Sequence, residues 1–193
     1  MKLLGVFALT ALLGACALSP QQVVLQPTLT YSGERVQSAR PVIVSVVDGR
    51  DQAVLGTRGG VYGDTSVITL ANDLSEALTR ALNAGLAAQG YAVNTSNMDD
   101  AVRLKVTVEE LRYTTPEKGV AAKATVKAGV KADAYFGDSH FEGRYGVSKE
   151  KSFVARPGME DNAELINAAV TEALERMFAD PKLRAFLQGS AGL

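Results

Sequence analysis

The sequence predicts an α+β fold: a two-layer sandwich in which a mixed, mostly antiparallel sheet carries two main helices packed on one face. Three observations lead there. A β-branched run, "PVIVSVVDG" from Pro41 to Gly49, is followed by a leucine-striped segment and then a second β-rich stretch, the order of a strand–helix–strand crossover. Two long segments, Val102–Tyr113 and Val120–Phe136, alternate apolar and polar residues, as half-buried strands do. A last segment near Asp161 repeats apolar residues at helical spacing.

Taken in order, the chain opens on Lys2 and an apolar run, Leu3–Ala15. Such a run covers about 20 Å as a helix, against a hydrocarbon core of about 30 Å. It is too short to span a bilayer and suits a secretory leader. The residues that close it are Leu13, Gly14, Ala15 and Cys16. They resemble the lipobox of bacterial lipoproteins, where small side chains give a peptidase access and the thiol accepts a diacylglyceryl group. An ordinary leader with an incidental cysteine is the alternative. The resemblance implies a signal peptide over 1–15, cleavage before Cys16, and lipid on its sulfur and nitrogen. Ala17 stands where Asp would favour inner-membrane retention, so the resemblance implies the outer membrane, with the domain in the periplasm. Cys16 is the sole cysteine, so no disulfide forms within the chain. Residues 16–40 hold Pro20, Pro27 and no clear periodicity, and are expected to be the lipidated N-terminus and a tether. "VVLQPTLTY" within them suits an edge strand limited by Pro27.

The single globular domain is expected over 41–190. Pro41–Gly49 suits a strand buried on both faces. A glycine-rich connection follows, expected to be a surface loop or β-hairpin. Leu74, Leu78, Leu82 and Leu86 form one helical stripe, with Asp73 and Glu76 as a capping box and Gly90 at the stop. "YAVNT" then suits a short strand, parallel to the first. In "VRLKVTVEELRY" the apolar phase slips at Glu109–Glu110, which predicts a β-bulge. The alanine-rich stretch to Phe136 alternates strictly and is expected to be a long strand bent near Gly129, with "GDSH" as the turn into its returning partner. The last helix is expected to start near Asp161. Asp180–Pro181 ends it and caps a short final one.

Composition narrows the functional classes. Apolar residues make up 47% of 193, enough for a real core. Net charge is −1, which argues against nucleic acid as a partner. There is no Trp and one His, His140. The glycine-rich loop is not a phosphate loop: with Gly63 as its second glycine, the first-glycine position is Arg58 and the lysine position is Asp64. Arg58, Gly59, Gly60, Tyr62 and Asp64 make it instead a candidate recognition loop. "GDSH" has the composition of a turn, and Ser139 and His140, being neighbours on a strand, point to opposite faces. No catalytic residue, metal site or cofactor is expected. Arg103, Lys105, Lys123, Lys127, Lys131 and Arg144 collect on the sheet face away from the helices, diluted by Asp133 and Glu142. A solvated face is the plain explanation. Attraction for an anionic envelope polymer, a lipid head group or an acidic protein is the sharper one.

The order of these pieces is similar to that of a known family. An "LGAC" lipobox, a first strand ending in "VVDGRD", the glycine-rich "LGTRGGVYGDTSVIT", a leucine helix closing in "AAQGYAV", the alternating "VRLKVTVEELRY" and a C-terminal amphipathic helix resemble the YajG-like family of bacterial lipoproteins. The resemblance implies an envelope location and this fold, and carries over no functional residues. Two roles follow as expectations: a non-enzymatic lipoprotein held to the membrane by its N-terminal lipid and binding an envelope protein, lipid or polymer, or an auxiliary subunit of an ABC-type envelope lipid transport system. An apolar cleft between sheet and helices, or co-purified lipid, would favour the second.

Overall fold

The computed structural model describes residues 19–37, 39–59, 65–93, 100–116, 122–154 and 156–189. It is a mixed α/β chain with one seven-stranded sheet and three helices among the described residues. The strands are β1 (Gln21–Val23), β2 (Val42–Asp48), β3 (Gly56–Thr57), β4 (Val67–Leu70), β5 (Val102–Thr114), β6 (Ala122–Phe136) and β7 (Ser139–Phe153). The helices are α1 (Leu74–Gln89), α2 (Met159–Ala179) and α3 (Pro181–Leu187). The strand order is β1-β4-β3-β5-β6-β7, with β2 also paired to β5. The two long ladders, β5–β6 and β6–β7, are antiparallel, while β1–β4, β2–β5 and β3–β5 are parallel.

The local devices form where side-chain chemistry dictates. Asp73 accepts the Glu76 amide at 2.7 Å and opens α1, whose four stripe leucines are all buried. Gly90 closes it at φ +100°, a conformation that favours glycine. The bulge lies between Val108 and Glu110, opposite Gly129. The glycine-rich connection begins and ends as a hairpin, β3–β4, with Arg58 N donating to Ser66 O at 3.0 Å. Gly56 is there for closeness: a Cβ on it would collide with the carbonyl oxygen of Tyr113 on β5.

Several expectations are corrected. β2 is buried on one face only: Val42 and Val44 enter the core, while Ser45 and Val47 are exposed. A β-branched run carries no information about its second face. The strand expected in "YAVNT" is a single parallel bridge, Val42 with Val93, and 94–99 lie outside the described residues. The turn before β7 is only Gly137–Asp138, because Ser139 already pairs with Phe136. α2 starts at Met159, two residues before Asp161, which accepts the Gly158 amide at 2.9 Å.

The largest correction concerns the expected tether. Within 16–40, the segment from Gln21 is stitched onto the domain. β1 pairs with β4, and Val23 and Leu25 are 1% exposed. Asn72 brackets Leu25, accepting from its N–H at 2.8 Å and donating to its carbonyl at 2.9 Å. Asn167 holds the other ends of the same two peptide groups, accepting from Gln26 N and donating to Val24 O. Beneath them a buried chain runs from the Tyr113 hydroxyl to Asn162 Oδ1 at 2.8 Å and from Asn162 Nδ2 to Gln21 Oε1 at 2.7 Å. Backbone groups that a polar tether would leave to water are thus satisfied by side chains of α2 and the α1 cap region. Further on, Val36 N donates to Gln89 O.

Candidate functional site

The exposed face of the long strands is built by register. Arg103 lies beside Tyr135, and Tyr135 beside His140. The next rows are Lys105–Asp133–Glu142 and Thr107–Lys131–Arg144. Beyond the bulge come Arg112–Lys127–Ser148, and Lys123 beside Ser152. All six basic residues read from the sequence therefore share one face.

They are not equivalent. Lys131 Nζ lies 3.0 Å from both Asp133 Oδ1 and Glu142 Oε2. Arg144 pairs with Glu142 and with Glu109. Lys123 pairs with Glu150 at 2.7 Å. The middle of the face is thus a neutralised lattice. Glu142 and Asp133 hold the Lys131 ammonium above its ordinary range, and Lys131 with Arg144 holds Glu142 below the carboxylate range. Burial pushes Asp133 up, but Lys131 and His140 outweigh it, so its carboxyl stays ionised below its usual value. Among the described residues, Arg103, Lys105 and Lys127 have no carboxylate within ion-pair distance. These three are the cations open to a partner.

Asp133 is itself 5% exposed, and His140, stacked on Tyr135 with centroids 4.4 Å apart, places Nε2 3.3 Å from its Oδ1. Sequence spacing assigns His140 no such partner. The antiparallel hairpin supplies one from seven residues away. Asp48, the last residue of β2, is held by the Arg50 guanidinium below its ordinary range, with Nε at 2.8 Å. Among the described residues no cluster of His, Cys, Asp and Glu could hold a metal ion.

Of the candidate recognition loop, Arg58 and Gly59 are described, beside the end of β5: a Cβ on Gly59, at φ +70°, would meet Thr115 Oγ1 at 2.5 Å. Gly60, Tyr62 and Asp64 lie outside the described residues, as do Leu13, Gly14, Ala15 and Cys16. Between sheet and helices, the space bounded by Leu74, Leu78, Val108, Leu111, Val130 and Val170 is about 10 Å³, enough for one water molecule at most. A larger groove of about 310 Å³ lies between residues 25–29 and α1 at Ala77, Arg80, Ala81 and Ala84.

The chain matches, over residues 27–188, a family model described as an uncharacterized lipoprotein. It belongs to the YajG-like family of lipoproteins. Family membership agrees with the order of motifs and leaves the site residues to be argued from this lattice. No curated protein matches the chain. Solved structures similar to it include two. One, an uncharacterized protein, has 12% identity and a TM-score of 0.47, covering 86% of this chain and 99% of its own. The other, a putative neuraminyllactose-binding hemagglutinin homolog from Helicobacter pylori, has 10% identity and a TM-score of 0.48, covering 86% and 97%. At such TM-scores nothing said of those proteins' binding transfers to this one. No helix among the described residues is long and apolar enough to cross a membrane.

Proposed function

We propose that this lipoprotein is anchored by lipid on Cys16 in the outer membrane, that its two-layer domain faces the periplasm, and that it binds an anionic envelope component without catalysing a reaction. The observation that carries the binding role is the division of the open face into a self-neutralised centre and three cations, Arg103, Lys105 and Lys127, with no described carboxylate partner. Paired cations have already spent their field locally, and open ones keep it for a ligand. A lipid-transport role has less support, because the space bounded by Leu74, Leu78, Val108, Leu111, Val130 and Val170 is too small for an acyl chain.

The test is in-cell crosslinking and salt-dependent capture of the crosslinked component. Changing Arg103, Lys105 and Lys127 to Glu should abolish capture, while the same change at Lys123 and Lys131 should act less. Binding that survives the first triple change ends the reading. Mass measurement of the N-terminal peptide tests the anchor: an unmodified Cys16 in membrane-fractionated protein refutes it.

A further inference from the structure

The lipid leash is short, and we infer that the end of the domain where β1 begins rests on the membrane surface, inserting Val154 and Met159 among the lipids. This rests on the anchoring proposed at Cys16. Five residues, 16–20, separate that lipid from the first residue of β1. Fully extended, they reach about 18 Å. A tether running to residue 40 would have let the domain roam. The stitched segment from Gln21 does not.

The same end carries what a bilayer would take. Gln21 is hydrogen-bonded to Asn162, one turn of helix from Met159, the first residue of α2. Met159 is 55% exposed, and Val154, just past the end of β7, is fully exposed. Exposed apolar side chains singly placed are ordinary. Here Met159 opens α2 near the point from which the lipid-bearing segment leaves, and Val154 follows β7 at the same end of the sheet, on the edge opposite β1. Among the described residues around Val154 and Met159, Lys151 pairs with Glu164 and Lys123 with Glu150, and exposed Arg156 and Glu160 are of opposite sign. The occupant this chemistry fits is therefore a lipid surface met by apolar contact, not an anionic one met by charge. The opposite end, the Gly137–Asp138 turn, lies a full β7 strand away, roughly 45 Å at the rise of an extended chain.

The chain has no Trp, so a single introduced one reports its own surroundings. Full-length protein purified from membranes, in Val154→Trp, Met159→Trp and Asp138→Trp forms, is reconstituted into phosphatidylcholine vesicles with and without brominated acyl chains. Bromine should quench the Val154→Trp and Met159→Trp forms at least about twofold more than the Asp138→Trp form, and adding phosphatidylglycerol or salt should not change the ratio. Equal quenching in all three forms overturns the inference, and so does quenching that salt removes. If mass measurement finds no lipid on Cys16, the anchoring proposal falls separately. Coupling that sole thiol to a maleimide-bearing phospholipid then imposes the same leash, and the quenching ratio still decides.

Discussion

Asn162→Ala should be the most informative substitution for the fold, because one side chain joins three elements. Asn162 is 0% exposed, accepts from the Tyr113 hydroxyl and donates to Gln21 Oε1. Its removal orphans two buried polar groups, on β5 and β1. Each costs about 1–3 kcal/mol when left unpaired, so the loss should be about 2–6 kcal/mol, towards the lower end if water enters the space. Urea unfolding should show a lower midpoint with an unchanged slope, which marks a change in stability rather than in the extent of structure. Amide exchange should rise first at Val23 and Leu25, since β1 loses its link to α2. The pair also couples: adding Tyr113→Phe to Asn162→Ala should cost less than the two losses summed, by about 0.5–3 kcal/mol. A loss below about 1 kcal/mol, with exchange at Val23 unchanged, would refute the claim that this network holds the N-terminal strand.

Tyr113 adds a pH test. Burial pushes its phenol up to about 12. The unfolded phenol ionises near 10, so the stabilisation is present below pH ~10 and is lost as pH rises towards about 12, by up to ~1.4 kcal/mol per unit. Tyr113→Phe should flatten that part of the alkaline profile in urea titrations. Leu25→Ala should cost about 2–5 kcal/mol by the same assay, since the side chain is 1% exposed, whereas a free tether would lose almost nothing. Gly56→Ala should cost about 1–3 kcal/mol or more, because the new methyl meets the Tyr113 carbonyl, with exchange rising at Tyr113 N, which donates to Leu55 O. Asp180→Ala should cost about 1–3 kcal/mol, for it caps α3 at Lys182 N and accepts from the Tyr145 hydroxyl at 2.7 Å. Burial raises the Asp180 carboxyl but these donors outweigh it, leaving it lowered, so its stabilisation is present above pH ~4 and is lost as pH falls below.

What is legible in the sequence is local. The stripe of Leu74 to Leu86, the Asp73 cap, the Gly90 stop and the slip at Glu109–Glu110 each need only a few neighbouring residues. What is not legible depends on distance along the chain. Gln21 and Asn162 lie 141 residues apart, and neither polar side chain announces a buried partner. A faint signal exists, the alternation of Gln21, Val23 and Leu25, but Pro27 gives the segment the look of a tether. The one-sided burial of β2 is hidden for a different reason. Val47 could sit in a core or on an exposed face, and only the absence of a covering element decides which. The ion pairs of the open face are hidden because register sets them: the bulge chooses which residues of β5 stand beside Lys131 and Arg144.

The open face and the β1 end bear on each other through that register. Arg103 and Lys105 sit in the rows nearest the Gly137–Asp138 turn, and Lys127 sits beyond the bulge, towards the end where β1 begins. Asp133, the register partner of Lys105, lies six positions along β6 from Lys127, so the two open-cation sites are about 20 Å apart. A compact anionic ligand can use only one of them. An extended polymer or an acidic protein can use both, crossing the neutralised centre without competing with its ion pairs. If the domain stands on the membrane by the Met159 end, Lys127 is the site nearer the lipid and Arg103–Lys105 the site presented to the periplasm. Losing capture with Lys127→Glu alone would then point to a ligand at the membrane surface. Losing it with Arg103→Glu and Lys105→Glu alone would point to one in the periplasm, and comparable partial losses from each would mark a partner long enough to span both.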